Sequence, residues 1–268
     1  MTYRSQIATI SIMLLSLVLV ASRFIALAEG TDKGHGRPDA AKCDRAQFRI
    51  ILDAGHTAEA PGAMSARNVP EYDFNLRLAK EIDQNLIDVG FIKTVLLVTH
   101  GPAMLSLLER VTVANHLAAN IFLSIHHDSV PDSFLQDWDY DGNPSHFSDR
   151  FRGYSLFVSY DNRNIKASLL FAKLVGTQLK DRGLPYASHY AEAFMGRHQR
   201  QLIDADAGVY RYDQLVVLRE TQMPAVLLEA GSIINRDEEI LMNLPEHRAL
   251  VGGAVATAVE MFCKARSP

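Results

Sequence analysis

His56, Glu71, His126 and Glu229 are the side chains of this sequence best placed to do chemistry. Three of them end apolar runs: His56 follows IILDAG, His126 follows IFLSI and Glu229 follows PAVLL. Glu71 stands at the start of an amphipathic stretch and reads as the opening residue of a helix. Two imidazoles and one carboxylate leave the fourth position of a tetrahedral zinc ion free for water, a ligand set used by hydrolytic zinc sites. His56, Glu71 and His126 are therefore the candidate ligands, for one Zn2+ per chain. Glu229 is then the additional carboxylate, able to take a proton from water and pass it to a leaving group. Each residue alone has a plainer reading. A strand-end histidine is more often a hydrogen-bonded loop residue, and a glutamate opening a helix is a favourable charge at the positive dipole end. Glu229 differs because it follows four apolar residues, and a buried carboxylate without a partner is costly.

The elements that must position these residues follow from the hydrophobic pattern. FRIILDA (48–54), TVLLVT (94–99), IFLSIH (121–126), YSLFVSY (154–160), LVVLR (215–219) and PAVLLEA (224–230) read as strands. Residues 75–90 place Leu76, Ala79, Ile82 and Leu86 on one helical face, with Gly90 as a stop. Residues 103–118 read as a helix with Met104, Leu107, Leu108, Val111 and Leu117 roughly in phase. Two more helices are expected over 164–182 and from about Pro245 to Cys263. This alternation predicts a single α/β domain, a mostly parallel or mixed twisted sheet flanked by helices on both faces. Ligands gather at the carboxyl ends of strands in such sheets, and that edge is where His56, His126 and Glu229 fall. Two segments, 129–152 and 184–212, carry no clear pattern and are long enough to suggest function. His189 and His198, in the second, are candidates to line a cleft.

The chain has 268 residues and a formal net charge of −4, which shows none of the basic footprint of a nucleic-acid binder. Residues 1–28 have the order of a signal peptide: Arg4, an apolar run from Ile7 to Ala21, then Ala26-Leu27-Ala28. The run is short for a membrane span and Arg23 interrupts it, so no stable membrane anchor is expected once the signal is cleaved. Residues 29–44 read as a linker and 45–265 as the catalytic domain. Export to the periplasm or the cell-wall space follows, and export permits a disulfide. Cys43 and Cys263 are the only cysteines. A bridge between them, which would close nearly the whole domain, is the favoured reading, with two unpaired thiols as the alternative.

Five ordered blocks carry a family resemblance. LDAGH, EYDFNLRLAKEI, ERVTVANHLAANIFLSIHHDS, GYSLFVS and MPAVLLEAGSIIN resemble the zinc-dependent N-acetylmuramoyl-L-alanine amidases of the amidase-3 type, bacterial cell-wall hydrolases. The resemblance covers roughly residues 48–262. It implies zinc ligation by His56, Glu71 and His126, and catalysis by Glu229, in agreement with the reading from strand ends. It also implies the substrate: the amide between N-acetylmuramic acid and L-alanine of peptidoglycan. The chain departs from the family pattern at Thr57-Ala58, at Ser232 and at His127. Thr57 and Ser232 are expected at the rim, where with Asp128 they are candidates for substrate contact. Neighbouring strand residues face opposite ways, which favours His126 over His127 as the ligand. Arg110 and Asn115 match a family pattern and are expected to be structural. DWDYDGN (137–143) resembles a calcium loop but has Ser148 where the bidentate glutamate belongs. By resemblance, residues 130–152 fall where some relatives carry a lid over the zinc that an activator protein displaces, and they are expected to form such a lid or a wall of the substrate site. Two other functions remain open: a zinc peptidoglycan peptidase or carboxypeptidase, and a non-catalytic wall-binding module on the same fold.

Overall fold

An unbroken apolar run makes a stable strand where both faces of a sheet are covered, and all five residues of Ile50–Ala54 are buried. The computed structural model describes residues 43–266, so the signal segment 1–28 and all but the last two residues of the 29–44 linker lie outside the described residues. Within them the strands are β1 (Ile50–Ala54), β2 (Thr94–Leu97), β3 (Ile121–Asp128), β4 (Gln136–Tyr140), β5 (Asn143–Phe147), β6 (Ser155–Val158), β7 (Gln201–Asp204), β8 (Val209–Arg211) and β9 (Ala225–Ser232). The helices are α1 (Glu71–Asp88), α2 (Ala103–Leu117), α3 (Ile165–Asp181), α4 (Val216–Glu220), α5 (Arg236–Asn243) and α6 (Pro245–Arg266). None of the described helices is long and apolar enough to cross a membrane.

Seven strands form one mixed sheet in the order β2-β1-β3-β9-β6-β8-β7. The pairs from β2 to β9 are parallel, while β6 against β9 and β7 against β8 are antiparallel. Side chains alternate across this sheet into two cores. Ile50, Leu52, Leu123, Ile125, Val226 and Leu228 pack with α1, α3 and α6 on one face. Ile51, Phe122, Ala225 and Leu227 pack with α2 and α4 on the other. The expected α/β domain with helices on both faces is the architecture found.

Three local expectations are corrected. LVVLR is not a strand: Val216–Glu220 is the short helix α4, whose carbonyl end is held by Asn162 Nδ2 donating to Leu218 O at 2.7 Å and to Thr221 O at 3.1 Å. A short apolar run carries too little periodicity to separate the two states. On α2, Leu107, Val111 and Leu117 pack against the second core as expected, but Met104 and Leu108 face solvent, and the fully buried positions are Ser106, Arg110 and Ala114. That polar face turns inward because Ser106 hydrogen-bonds Thr99 and Arg110 meets Asp53. The two long patternless segments are also folded. Residues 201–211 supply β7 and β8, and residues 136–147 form the hairpin β4–β5.

Cys43 and Cys263 are bridged, with Cα atoms 5.3 Å apart, which ties the start of the described chain to α6. Closing a loop across 220 residues removes much of the freedom of the unfolded chain. Cys43→Ser is expected to lower stability by about 3–5 kcal/mol, read as a lower urea midpoint, with a steeper slope because the unfolded chain is no longer held compact. An unchanged midpoint would mean that the bridge contributes nothing.

Candidate metal centre and cleft

β3 and β9 lie side by side in parallel register, with His126 opposite Glu229. Both side chains therefore leave the same face of the sheet at its carboxyl edge. His56 arrives there just after the end of β1, and Glu71 at the first turn of α1. The ligand atoms of His56, Glu71 and His126 all lie within 4.8 Å of one another. Among the described residues no other group of three histidine, cysteine or acidic side chains converges in this way.

Glu71 is the hub. Its Oε2 is 3.0 Å from His56 Nε2 and its Oε1 is 2.9 Å from His126 Nδ1. Donor atoms bound to one tetrahedral zinc sit roughly 3.3 Å apart, so the trio fits such an ion both in spacing and in its two-imidazole, one-carboxylate chemistry. Asn75, one helical turn after Glu71, donates to Glu71 Oε1 at 3.1 Å and to Gly55 O at 3.2 Å. The Ala63 backbone N donates to Glu71 Oε2 at 3.2 Å. Burial works to raise the Glu71 carboxyl, but the hydrogen bonds from His126 and His56 outweigh it and hold it well below its usual range. His56 is the most exposed of the three, 30% by side chain against 15% for His126 and 7% for Glu71, so access is from its side.

Two glycines make room for this cluster. A Cβ on Gly55 would lie 2.3 Å from His126 Nε2, and one on Gly62 would lie 2.5 Å from Glu71 Oε2 and 2.7 Å from the His56 ring. Gly55 is thus a place of close approach, and the left-handed turn of the chain belongs to His56 itself, at φ 68°. A non-glycine residue pays for that conformation with strain and needs fixing from outside. The fixing comes from Arg110, whose Nη2 donates to His56 O. Arg110 is buried, donates through Nε to Thr99 Oγ1 at 2.9 Å and pairs with buried Asp53 at 3.3 Å. Arg110→Met leaves Asp53 unpaired in the core and is expected to cost about 3–5 kcal/mol. Denaturant unfolding checks this, and adding Asp53→Asn should return part of the loss. A loss unchanged in the double variant contradicts the pairing argument.

His127 faces away from the trio. Its Nδ1 meets Asn75 Oδ1 at 2.8 Å on the α1 side, and burial pushes it down to about 3, so it is neutral. Glu229 is half-buried, with Oε2 shielded from solvent and without a hydrogen-bond partner. Burial, then the Asp128 and Glu71 carboxylates, push its carboxyl well above the usual range. Asp128 is buried and accepts a 2.6 Å hydrogen bond from Tyr190 OH. Its other oxygen is 3.7 Å from His189 Nε2, too far for a hydrogen bond. Burial pushes Asp128 up to about 7 and His189 down to about 4.

The rim positions expected for Thr57 and Ser232 are corrected, since both are buried. Thr57 donates to Gly101 O at 2.8 Å and accepts from Ala60 N at 2.9 Å, which pins the turn after His56. Ser232 pairs in register with Asp128, and its backbone N donates to Glu238 Oε2 at 2.8 Å. Asn115 is structural, as expected: it accepts from Gln222 N at 2.7 Å and donates to Glu220 O at 3.1 Å. Residues 130–152 are held against the body of the domain. Trp138 Nε1 and Ser145 Oγ donate to Ala66 O at 2.9 and 2.8 Å, and Asp149 pairs with Arg236. None of its residues lines the cleft described next. The aspartates of 137–143 are spread over a hairpin turn in which Gly142 N donates to Asp139 Oδ1, rather than converging as calcium ligands.

A cleft of about 420 Å³ opens beside His56, His126 and Glu229. Its walls include Phe157, Tyr190, His198, Arg200, Tyr212 and Leu227. His198 is thus a lining residue, while His189 sits behind Tyr190, ring centroids 4.4 Å apart. Nothing in the sequence singled out Asn75, Tyr190 or Arg200. Asn75 alone left a trace, at the four-residue helical spacing from Glu71.

Comparison with known proteins bears on this site. The family model described as N-acetylmuramoyl-L-alanine amidase, Amidase_3, matches residues 50–261. A Buchnera aphidicola protein named as such an amidase is 24% identical over 216 residues, covering 80% of this chain and 95% of that protein. The Escherichia coli amidase AmiA is 25% identical over 247 residues, covering 85% of this chain and 80% of AmiA. The crystal structure of the amidase Ami1 from Mycobacterium smegmatis shares the fold, with a TM-score of 0.65 at 21% identity over 84% of this chain and 100% of that one. Because the family match runs unbroken from β1 into α6, this chain belongs to the N-acetylmuramoyl-L-alanine amidase family of peptidoglycan hydrolases.

Proposed function

We propose that the chain cleaves the amide joining the lactyl group of N-acetylmuramic acid to L-alanine, with one zinc ion held by His56, Glu71 and His126. The observation that carries this reading is the convergence of those ligand atoms within 4.8 Å, one strand away from the half-buried Glu229. When bound, zinc supplies Lewis acidity, polarising the amide carbonyl and making water a nucleophile near neutral pH. Glu71 joins the two imidazoles as the anionic ligand, and Asn75 and the Ala63 backbone orient Glu71. Glu229 accepts the proton of the attacking water and delivers it to the alanine nitrogen as the C–N bond breaks. Its environment suits this relay, because burial and the neighbouring Asp128 and Glu71 carboxylates favour taking up a proton. Phe157, Tyr190 and Tyr212 wall the cleft and offer apolar surface beside the reacting amide. Export before action, through residues 1–28, belongs to the same reading.

Mass spectrometry of digested sacculi tests it. The expected products are stem peptides beginning with a free L-alanine amine and glycan strands without stems. Shortened stems still attached to glycan would instead indicate a peptidase. Intact muropeptides despite tight wall binding would indicate a non-catalytic module.

A further inference from the structure

The cleft wall is largely aromatic and aliphatic, and among the described residues that line it Arg200 is the one arginine or lysine. Its guanidinium lies over the Tyr212 ring, 3.8 Å from the centroid. Nη1 donates to the carbonyls of Arg197 and Gln199 at 3.1 and 2.9 Å, and the Arg200 backbone N donates to Tyr190 O at 2.7 Å. The side chain is therefore fixed in direction by its own loop and by a ring that shields it from water. Among the described residues no carboxylate forms an ion pair with it, and Nε is buried without a hydrogen-bond partner. A cation held by its own loop, stacked on an aromatic ring and lining a cleft without a carboxylate partner is arranged to receive an anion.

The substrate chemistry says which anion. In a muramoyl-peptide the lactyl carboxyl is consumed in the scissile amide and the sugar carries no other charge, so carboxylates lie on the peptide side. We propose that Arg200 is a specificity-determining residue that binds a carboxylate of the stem peptide beyond L-alanine, and so marks the peptide half of the cleft. This rests on the amidase reading above. Amidation of that carboxylate removes its charge and half of its acceptor capacity, and the enzyme accordingly discriminates against amidated walls.

Two N-acetylmuramoyl-L-alanyl peptides test this, identical except that the residue after alanine carries a free carboxylate or its primary amide. The zinc-loaded full chain is expected to favour the carboxylate peptide in kcat/KM by about 10- to 100-fold. Arg200→Gln is expected to raise KM for that peptide by a similar factor, with kcat little changed, so that the two peptides become equivalent. Arg200→Lys, which keeps the charge without the fork, is expected to fall between. Equal treatment of both peptides by the unaltered enzyme overturns the proposal. So does an Arg200→Gln variant that slows both equally, since that would mean Arg200 only supports the Tyr190–Tyr212 wall. Calorimetric binding of the same peptides to Glu229→Gln protein separates this from the amidase reading. Carboxylate-selective binding that Arg200→Gln abolishes upholds the role of Arg200 even if no amide is cleaved, and unselective binding defeats it.

Discussion

Glu229→Gln is expected to lower release of stem peptides by about 10²- to 10⁴-fold while zinc content stays at one per chain. Glutamine keeps the shape of the side chain but its amide cannot take a proton from water at neutral pH. No neighbour stands ready to replace it. Asp128, the nearest other acid on the same strand pair, is buried and occupied by the Tyr190 hydroxyl. His126, opposite Glu229 in the β3–β9 register, is directed to Glu71. The melting temperature is expected to equal or exceed that of the parent, because a partly buried carboxylate with an unpartnered oxygen has been made neutral. Product release within a factor of two of the parent contradicts the assignment, as does loss of zinc from the variant.

Glu71→Gln is expected to weaken zinc binding by at least about 100-fold, beyond the 10- to 100-fold typical of residues that orient a ligand. Glu71 lies 3.0 and 2.9 Å from the two imidazole nitrogens, so its replacement removes the one anionic ligand of the trio. Asn75→Ala is expected to give the smaller effect of about 10- to 100-fold, since it touches Glu71, Gly55 O and His127 but not the proposed ion. Competition with a zinc chelator ranks the three proteins. The stability that metal adds follows the same order: zinc at 1,000 times its Kd adds about 4 kcal/mol, and Glu71→Gln should lose most of it. Equal zinc affinity in Glu71→Gln and parent would remove Glu71 from the site.

The trio and Glu229 were legible in the sequence for a physical reason. Parallel strands of a covered sheet end at a common edge, so polar residues that stop apolar runs in β1, β3 and β9 meet there whatever the loops between them do. Period-two alternation then separates His126 from His127, and the structure finds the second ring on Asn75 across the sheet. What was illegible depends on contacts between distant segments. Arg110 looked like a helix residue of a family pattern, and its partners Asp53, Thr99 and His56 lie on three separate segments. Those contacts also rotate α2, so that an apparent apolar stripe through Met104 and Leu108 ends in solvent. Thr57 looked like an oddity at the rim because the sequence cannot show that the turn after His56 folds inward onto Gly101. The patternless stretch 184–212 hid both β7 and β8 and part of the aromatic wall of the cleft, since β7 and β8 span only four and three residues. Strands that short carry almost no periodicity.

The central claim is that a metal held by His56, Glu71 and His126 drives amide hydrolysis. Stepwise zinc titration of metal-free protein, with stem-peptide release and bound zinc measured in the same samples, tests it most directly. The account predicts no release without zinc and a linear rise to a plateau at one zinc per chain. It also predicts that Glu71→Gln fails to bind at the same zinc concentrations, and that Glu229→Gln fills its site without releasing product. Full release from protein shown to contain no metal, or a plateau reached without the His56–Glu71–His126 site being filled, would contradict it.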